Sequence, residues 1–232
     1  METIYDRTAM LLGRQAVEIL QKKAVIVFGI GGVGGFVAEA LARTGVGRLG
    51  LVDADTVSVS NCNRQIVALH STLGRPKAEV MEERIRDIDP HICVQAFPRR
   101  LSEETLASFR LEDWDHIADA IDDVPAKLLL IREAVRLGKP VVSAMGAGNR
   151  MDPTAFQVAE ISKTHTCPLA RAVRRELNRE GLGHVKAVFS PEAPGRAETA
   201  GEDRTPASVI WGPASAGLLM ASEIVKDLLA EM

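Results

Sequence analysis

Helical and strand-like patterns of hydrophobic residues alternate over the first two thirds of the chain. Residues 1–22 repeat their apolar positions with the period of amphipathic helices, and Gly13 divides them into two segments. Downstream, short apolar runs typical of buried strands are separated by stretches with helical periodicity. This alternation is typical of an α/β fold, and we predict a doubly wound, Rossmann-like, mainly parallel sheet. The strands are predicted at 24–28, 48–53, 91–97, 114–121 and 139–144, and the helices between them at 33–44, 78–88 and 124–137.

The alternation loosens after residue 150, where turn residues become more frequent. Apolar runs predict strands at 156–161 and 185–190 on either side of a helix at 168–180. A last strand near 207–211 is predicted to precede a helix at 214–229. We expect these strands to add antiparallel pairing to the sheet in the C-terminal third.

Residues 191–206 lack periodicity and are rich in Pro, Gly, Ala and Glu. This composition predicts a mobile loop, and the pattern leaves open whether the loop acts as a lid. A chain of 232 residues is long enough for one large α/β domain, and it contains no internal repeat. We therefore predict a single domain over 1–232, with N-terminal helices at 1–22, a core at 23–150 and an extension at 151–232.

The composition indicates which class of protein this is and which kinds of partner it can bind. Hydrophobic residues make up 46% of the chain and charged residues 25%, as in ordinary globular proteins. The net charge of −3 gives no global basic field, so a nucleic-acid partner would need a local patch. The three cysteines are far apart and form no C-x-x-C pair, which argues against a disulfide scaffold and a thiolate zinc site. The N-terminus lacks a signal-peptide layout and the apolar stretch 209–225 is interrupted, so we expect a cytoplasmic protein without a membrane span.

A glycine-rich turn between the first predicted strand and the helix after it is the first candidate site. Gly29, Gly31 and Gly34 fall in the order G-x-G-x-x-G, which lets a backbone approach a phosphate closely. The helix that follows directs its free N–H groups at an anion. Asp53 ends the second predicted strand, where doubly wound folds place an acid against a ribose hydroxyl. The alternatives are an ordinary strand-to-helix turn and an acid that starts a loop.

Positive charge and amides gather after the second predicted strand. Asn61, Asn63, Arg64 and Gln65 cluster at the start of a short predicted helix, and Lys77 stands at the head of the next one. The topology brings them to the same side of the sheet as the glycine turn. A dinucleotide pyrophosphate needs less positive charge than this, whereas a triphosphate with a scissile bond would use it.

Three acids end the fourth predicted strand. Asp119, Asp122 and Asp123 stand at its carboxyl end, on the side of the sheet where the phosphate site is expected. Carboxylates in this position are placed to hold Mg²⁺. The alternative role is to cap the helix at 124–137, and we expect Asp123 to do so.

The predicted helix at 168–180 carries a periodic set of arginines. Their spacing lays four guanidinium groups along one face. A solvated surface is the plain interpretation, and contact with the phosphates of a polyanion is the functional one. The four are Arg171, Arg174, Arg175 and Arg179.

Two cysteines receive separate interpretations. Cys167 precedes Pro168 at the start of this helix, where a thiolate would be stabilised and could act as a nucleophile. An inert thiol is the favoured interpretation, because one unpaired cysteine is a poor signal. Cys93, in the third predicted strand, is expected to be a small core residue.

Five motifs carry a family resemblance. GIGGVG, LVDAD, SNCNRQ, GRPK and DAIDD, in this order, resemble the ubiquitin-activating-enzyme-like (ThiF/MoeB/HesA) superfamily of ATP-dependent adenylating enzymes. The stretch SAMGAGNRMDPTAFQVAEISKTHTCPLARAVRREL is similar to the tRNA threonylcarbamoyladenosine dehydratase family, which makes the cyclic form of that modified adenosine. The zinc-binding C-x-x-C pairs of relatives that activate sulfur carriers are missing, and the chain lacks room for the cysteine-bearing domain of ubiquitin activators. Both absences favour the tRNA-directed family.

The resemblance implies roles for individual residues. Arg64 and Lys77 would act on the phosphates of ATP, and Asp122 would hold Mg²⁺. Arg7 would reach into the ATP site of a partner subunit, which implies a homodimer; an ordinary surface arginine is the alternative. Zinc is not expected, and a monovalent cation and a sulfur-transfer or carrier protein as partner stay open. The implied nucleotide-binding residues are Gly29, Gly31, Gly32, Gly34, Asp53, Asp55, Asn61 and Gln65.

The implied reaction is adenylation of the threonylcarbamoyl carboxylate on a tRNA adenosine next to the anticodon, followed by dehydrative cyclisation. Its alternative is adenylation of the C-terminal glycine of a ubiquitin-like carrier protein. A nicotinamide-dependent dehydrogenase is less favoured, because Arg64, Lys77 and Asp122 have no task there. A non-catalytic nucleotide-binding protein is the fourth hypothesis.

Overall fold

A seven-stranded sheet carries the fold in the computed structural model, which describes residues 3–195 and 206–230. In chain order, its strands are β1 Ala24–Phe28, β2 Arg48–Val52, β3 Cys93–Phe97, β4 His116–Asp119, β5 Val141–Ala144, β6 Gln157–Glu160 and β7 Lys186–Phe189. The strand order across the sheet is β3-β2-β1-β4-β5-β7-β6. Every pairing is parallel except that of β6 with β7. The predicted fold class is confirmed, with the antiparallel pairing at the C-terminal edge.

Helices cover both faces of this sheet, and short 3₁₀ turns lie between several elements. The two N-terminal helices are separate and meet at Gly13, as the sequence predicts. No described helix combines the length and the hydrophobicity that crossing a membrane requires. The helices are α1 Asp6–Leu12, α2 Arg14–Leu20, α3 Gly34–Thr44, α4 Lys77–Ile88, α5 Val124–Arg136, α6 Pro168–Arg179 and α7 Trp211–Leu229.

The central strand β1 is buried on both faces, which explains its unbroken apolar sequence. Val25 and Val27 belong to a core shared with α3, α4 and α7. Ile26 and Phe28 belong to a second core shared with α5 and α6. A strand covered on both faces needs no polar alternation. Burial of each such side chain contributes about 1.5–3 kcal/mol relative to exposure.

The reversal of strand order at β1 fixes the place of the candidate site. The chain runs from β1 to β2 and β3 on one side and then returns to β4 and β5 on the other. Loops that leave neighbouring strands in opposite directions open a crevice at their carboxyl ends, where α/β sheets bind ligands. The turn after β1 and the loop after β4 both line a cleft at this point.

One tyrosine attaches α1 to the rest of the molecule. No residue of α1 itself is buried, whereas Tyr5, immediately before it, is buried. The Tyr5 hydroxyl donates a 2.6 Å hydrogen bond to Asp89 Oδ2, beyond the end of α4. Burial and the Asp89 carboxylate raise the pKa of Tyr5 far above its ordinary value, so the hydroxyl stays protonated as the donor.

Two local predictions are wrong. Cys93 is exposed, because β3 is an edge strand whose alternate residues Cys93 and Gln95 face solvent. No strand forms at 206–210; Trp211 instead begins α7, three residues before the predicted start. Pro213 lies in the first turn of α7, where a proline is tolerated because the early N–H groups of a helix have no internal partner. Of the predicted mobile loop, residues 196–205 lie outside the described residues.

Candidate active site

The cleft at the carboxyl ends of the strands has a volume of about 830 Å³. Its described walls come from the loops after six strands of the sheet, from the 3₁₀ turn Val59–Asn61 and the residues after it, and from the first turns of α4, α6 and α7. Segments far apart in sequence thus converge at one place.

The glycines of the turn after β1 divide between packing and the cleft. A Cβ on Gly29 would lie 2.7 Å from the Ala120 carbonyl oxygen, and one on Gly34 would lie 1.7 Å from the Gly29 carbonyl oxygen. Both positions therefore exclude side chains. Gly31 and Gly32 line the cleft together with Gly29, whereas Gly34 stands behind the turn and does not line it. The turn presents bare backbone to a ligand at 29–32.

Asp53 is held in a fixed orientation at the end of β2. Its Oδ2 accepts the Ile30 N–H at 2.6 Å, and its Oδ1 accepts the Asp55 N–H at 2.8 Å. Burial raises the pKa of this carboxyl above its ordinary value, although both backbone donors and Lys77 act in the opposite direction. The prediction placed an acid beside the glycine turn, and the structure places Asp53 in direct contact with it.

Lys77 is a nearly buried cation in the wall of the cleft. Its side chain is 7% exposed, and Nζ lies 2.9 Å from Asp55 Oδ2. Asp55 is itself well exposed, so a ligand phosphate can reach the same cation. The Lys77 N–H donates to the Asp55 carbonyl at 3.0 Å and fixes the start of α4 against this loop.

The amides and the arginine that precede α4 also lie in the cleft. Arg64 Nη1 donates to the Ser60 carbonyl and to Asn63 Oδ1, which leaves most of the guanidinium fork for a ligand. Gln65 is buried, and its Oε1 has no hydrogen-bond partner among the described residues. The Asn61 side chain already accepts the Ser58 N–H at 3.1 Å, so it also shapes the 3₁₀ turn.

The three acids after β4 have separate environments. Asp119 is fully buried and pairs with Lys127 Nζ at 2.8 Å. Asp123 caps α5 by accepting the Ala126 N–H at 3.0 Å, as the sequence predicts. Asp122 is exposed and lines the cleft, and no hydrogen bond or ion pair engages its carboxylate within residues 3–195 and 206–230. Only Asp122 of the three is free to meet a ligand.

Arg7 does not line the cleft formed by its own chain. It lies exposed on α1, outside the described walls of the site. A role in catalysis would therefore require a second subunit.

The arginines of α6 do not form one free basic face. Arg174 Nη1 donates to the carbonyl and the hydroxyl of Thr164. Arg175 and Arg179 both lie beside Glu176, with closest N–O distances of 2.8 Å and 3.3 Å. Arg171 is exposed. The surface is therefore less basic than the spacing alone suggests, and contact with a polyanion stays a prediction.

Comparison with known proteins decides the family. The profile of the ThiF family matches residues 5–231. The chain belongs to the ThiF family. It is similar to the tRNA threonylcarbamoyladenosine dehydratase of Bacillus subtilis, with 41% identity over 98% of this chain and 95% of the relative. Its structure is similar to that of the E. coli tRNA N6-threonylcarbamoyladenosine dehydratase in complex with ATP, with a TM-score of 0.91, 36% identity and coverage of 98% and 94%.

A second branch of the family is also similar to this ThiF-family chain. The sulfur carrier protein adenylyltransferase of Thermus thermophilus is 33% identical over 97% of this chain and 77% of the relative. The resemblance that the five motifs carry is thus confirmed at the level of the family, and the Bacillus subtilis dehydratase matches with higher identity than this adenylyltransferase.

Cys167 of this ThiF-family chain is buried but lines the cleft. A Cβ on Gly146 would lie 3.3 Å from Cys167 Sγ, so the loop after β5 packs closely against the start of α6. The residue before it, Thr166, has a φ of +64°, which shows a tight turn into α6. Its position fits both an inert packed thiol and a cleft residue.

Sequence reasoning overlooked several polar residues of the cleft. Arg99 and Arg100 follow β3, are exposed and line its mouth. Asn149 and Arg150 belong to the loop after β5 and also line it. The doubled arginine is visible in the sequence, but nothing in the pattern indicates that the loop after β3 reaches the same cleft as the glycine turn. The burial of Arg150 has no sequence signal, because arginines are ordinarily exposed.

Proposed function

We propose that this ThiF-family chain is an ATP-dependent tRNA threonylcarbamoyladenosine dehydratase. It would adenylate the threonylcarbamoyl carboxylate on the tRNA adenosine next to the anticodon and then close the ring. The observation that carries the proposal is one cleft in which the glycine turn and Asp53 face Arg64, Lys77 and Asp122. The similarity to the Bacillus subtilis dehydratase over nearly the full length of both chains supports the same activity.

The described walls of the cleft offer separate places for the ribose and the phosphates of ATP. The Asp53 carboxylate, held by two backbone N–H groups, would bind the ribose hydroxyls. The bare backbone at Gly31 and Gly32 would let the phosphates approach the start of α3. Gln65 Oε1 lacks a partner among the described residues and would accept a hydrogen bond from the bound nucleotide.

The first chemical step is attack of a carboxylate oxygen on the α-phosphorus of ATP. A carboxyl oxygen–phosphorus bond forms, the bond from the α-phosphorus to the bridging oxygen breaks, and pyrophosphate leaves. Negative charge develops on the transferred and departing phosphate oxygens. Arg64 and Lys77 would stabilise this charge, and the weak hydration of a nearly buried Lys77 strengthens its effect.

Asp122 is the residue that would hold Mg²⁺. No group of three or more His, Cys, Asp or Glu side chains forms a metal cluster within the described residues. Mg²⁺ in phosphoryl-transfer sites is usually held by one or two carboxylates together with the substrate phosphates, so a single free carboxylate fits. When bound, Mg²⁺ neutralises charge on the phosphates and orients them.

The second step is closure of the ring. A nitrogen of the carbamoyl group attacks the activated threonyl carbonyl carbon, a carbon–nitrogen bond forms, and AMP leaves with the former carboxyl oxygen. The nitrogen loses its proton in the same step. Nucleophile and electrophile belong to one molecule, so proximity would supply much of the rate.

We also propose that the active form is a cytoplasmic homodimer in which Arg7 serves the partner's site. The helix α1 carries Met10 at 85% exposure and Leu11 at 84%. Exposed apolar side chains on a helix without buried residues fit a face that a second subunit covers. The requirement for a monovalent cation and contact between α6 and tRNA stay open in this proposal.

The test is pyrophosphate release measured with tRNA that carries the threonylcarbamoyl group and with the same tRNA lacking it. We expect release with the modified tRNA and conversion of its nucleoside to the cyclic form. Turnover of ATP that leaves the nucleoside unchanged would overturn the proposal.

Activation of a carrier protein is the second candidate. The 33% identity to the Thermus thermophilus sulfur carrier protein adenylyltransferase favours it. A carrier with a C-terminal glycine would then form an adenylate and release pyrophosphate without any tRNA. The same pyrophosphate assay, with carrier protein in place of tRNA, separates the two candidates.

A further inference from the structure

Arg150 is a buried cation without an acidic partner among the described residues. It is 3% exposed and lines the cleft from the loop after β5. Its Nη1 donates to the backbone carbonyl of Glu192, and its Nε has no hydrogen-bond partner among the described residues. The Glu192 carboxylate is occupied elsewhere, because it accepts the N–H groups of Met151 and Asp152. The guanidinium charge of Arg150 is therefore not neutralised by the described part of the chain.

Other buried charged side chains in the described residues do have side-chain partners. Taking a charge out of water is costly unless the charge is paired, so this pattern is the ordinary one. Glu39 pairs with Arg43 and Arg84, Lys77 with Asp55, Asp89 with His91 and Tyr5, and Asp119 with Lys127. Arg150 is the exception, and it borders the cleft.

Asn149, next to Arg150, provides an unused hydrogen-bond acceptor where Arg150 provides an unused donor. Its Oδ1 is buried and has no hydrogen-bond partner among the described residues. The backbone adopts a left-handed φ of +57° and is clamped on both sides, by Asn149 N–H to Ala207 O at 2.7 Å and by Gly195 N–H to Asn149 O at 2.8 Å. A strained, clamped residue with an unused acceptor is typical of a preorganised binding position.

The place of this pair favours the substrate over the nucleotide. Arg150 follows β5, two strands from β1, whereas Asp53 follows β2 on the other side of β1. Arg64 and Lys77 already provide positive charge for the polyphosphate. We propose that Arg150 and Asn149 recognise the threonylcarbamoyl group, with Arg150 binding its carboxylate and Asn149 Oδ1 accepting a ureido N–H. A guanidinium fork suits a carboxylate because it can donate two parallel hydrogen bonds.

This inference rests on the proposed function, and its test compares modified with unmodified tRNA. Binding of each tRNA is measured in the presence of a non-hydrolysable ATP analogue, for the wild type, Arg150→Met and Asn149→Gly. Glycine keeps the left-handed backbone of Asn149 and removes only its side chain. Arg136→Met on the exposed face of α5 is the matched control. We expect Arg150→Met to weaken binding of modified tRNA by about tenfold or more, the loss typical of a charged hydrogen-bond partner.

Affinity for unmodified tRNA and for the ATP analogue should stay within about twofold, because Arg150 contacts neither in this proposal. The melting temperature of Arg150→Met should fall only by the loss of one hydrogen bond to the Glu192 carbonyl, because no ion pair among the described residues is lost. Should that variant fail to fold, Arg150→Lys keeps the charge without the fork and is expected to bind modified tRNA several-fold more weakly.

Three outcomes would overturn the inference: retained discrimination in Arg150→Met, loss of affinity for the ATP analogue, or a lower melting temperature with discrimination intact. The second would assign Arg150 to the polyphosphate and the third to structure alone. A wild type that turns over modified tRNA without binding it better than unmodified tRNA would also overturn it. Absence of any tRNA-dependent pyrophosphate release in the wild type would instead overturn the proposed function.

Discussion

At the scale of single residues, the acids after β4 show how one short sequence supplies three different physical roles. Asp119 neutralises a buried lysine, Asp122 faces the cleft, and Asp123 caps α5. Their chemistry is the same, and only their surroundings differ. The consequence is that substitution of each should affect a different measurable quantity.

Asp122→Ala and Asp123→Ala form a matched pair in one loop. We expect Asp122→Ala to lower tRNA-dependent pyrophosphate release by about 10²-fold or more, because Mg²⁺ would lose the carboxylate that holds it beside the phosphates. Its stability should be unchanged, since no described residue pairs with this carboxylate. Asp123→Ala should lose about 1 kcal/mol of stability with its helix cap and retain most activity. Steady-state kinetics and thermal unfolding of both variants check this, and equal effects on activity would contradict it.

The buried pair of Asp119 and Lys127 gives the second residue-scale expectation. Lys127 Nζ lies 2.8 Å from Asp119 Oδ2 and 3.0 Å from the Ala144 carbonyl, which joins the ends of β4 and β5 beneath the cleft. Lys127→Met leaves a buried carboxylate unpaired and should cost about 3–5 kcal/mol. The double variant with Asp119→Leu should recover part of this loss in a denaturant titration. A double variant less stable than the single one would contradict this account.

At the scale of elements, one glutamate joins α3 to α4. Glu39 accepts hydrogen bonds from Arg84 Nε and from Arg43 Nε, both at 2.7 Å. Burial by itself would raise the pKa of Glu39, but these two arginines outweigh it and lower the pKa below its ordinary value. The glycine turn lies at the start of α3 and Lys77 at the start of α4, so the pairing of these helices helps to position both groups at the cleft.

The direction of this pKa shift predicts how the stability of the folded protein depends on pH. The unfolded Glu39 carboxyl binds a proton at higher pH than the folded one, so the stabilisation is present above pH 4.5 and is lost as the pH falls below it. We expect Glu39→Gln to cost about 1–3 kcal/mol at pH 7, and we expect this cost to shrink as the pH falls below 4.5. Glu83→Gln, in an exposed pair with Arg75, is the control and should change stability by less than about 1 kcal/mol. A Glu39 effect that is constant with pH would refute this.

At the scale of the whole molecule, the position of α1 decides whether one chain is sufficient. Arg7 lies outside its own cleft, and Tyr5, just before α1, attaches this helix to the core by its buried side chain and a hydrogen bond to Asp89. The most exposed apolar side chains of the described residues, Met10 and Leu11, share this helix with Arg7. A homodimer would cover these side chains and would bring Arg7 to the second site.

Mixing two inactive variants tests this arrangement. Arg7→Ala and Lys77→Met should each be inactive alone. If Arg7 acts in the partner's site, a mixed dimer contains one intact site, and random reassociation should restore about a quarter of wild-type activity. The mixture is assayed after dissociation and reassembly, with each variant alone as control. Absence of any recovery would show that Arg7 acts within its own chain, and an Arg7→Ala variant that is active alone would show that Arg7 has no catalytic role.

The sequence predicted the fold closely because local patterns govern it. The apolar run of β1 and the amphipathic periods of α3, α4 and α5 reflect burial that each segment needs for itself. The prediction was wrong where the structure of a segment depends on its neighbours in the fold. Cys93 is exposed because β3 is an edge strand, and residues 206–210 form no strand. Whether a strand lies at the edge depends on the strand order of the sheet, and the hydrophobic pattern within one strand does not reveal that order.

For the site, the sequence by itself determined the turn at Gly29, the acid at Asp53 and the presence of Arg64, Lys77 and Asp122. These residues lie near the ends of strands or helices, and the hydrophobic pattern predicts where those ends are. Only the tertiary structure decided which of these groups are free. It pairs Asp119 with a buried lysine, engages Arg174 in hydrogen bonds to Thr164, and buries Arg150 beside the cleft with no acidic partner among the described residues. Charge is a property of a residue, but its neutralisation depends on neighbours that the chain supplies from distant positions.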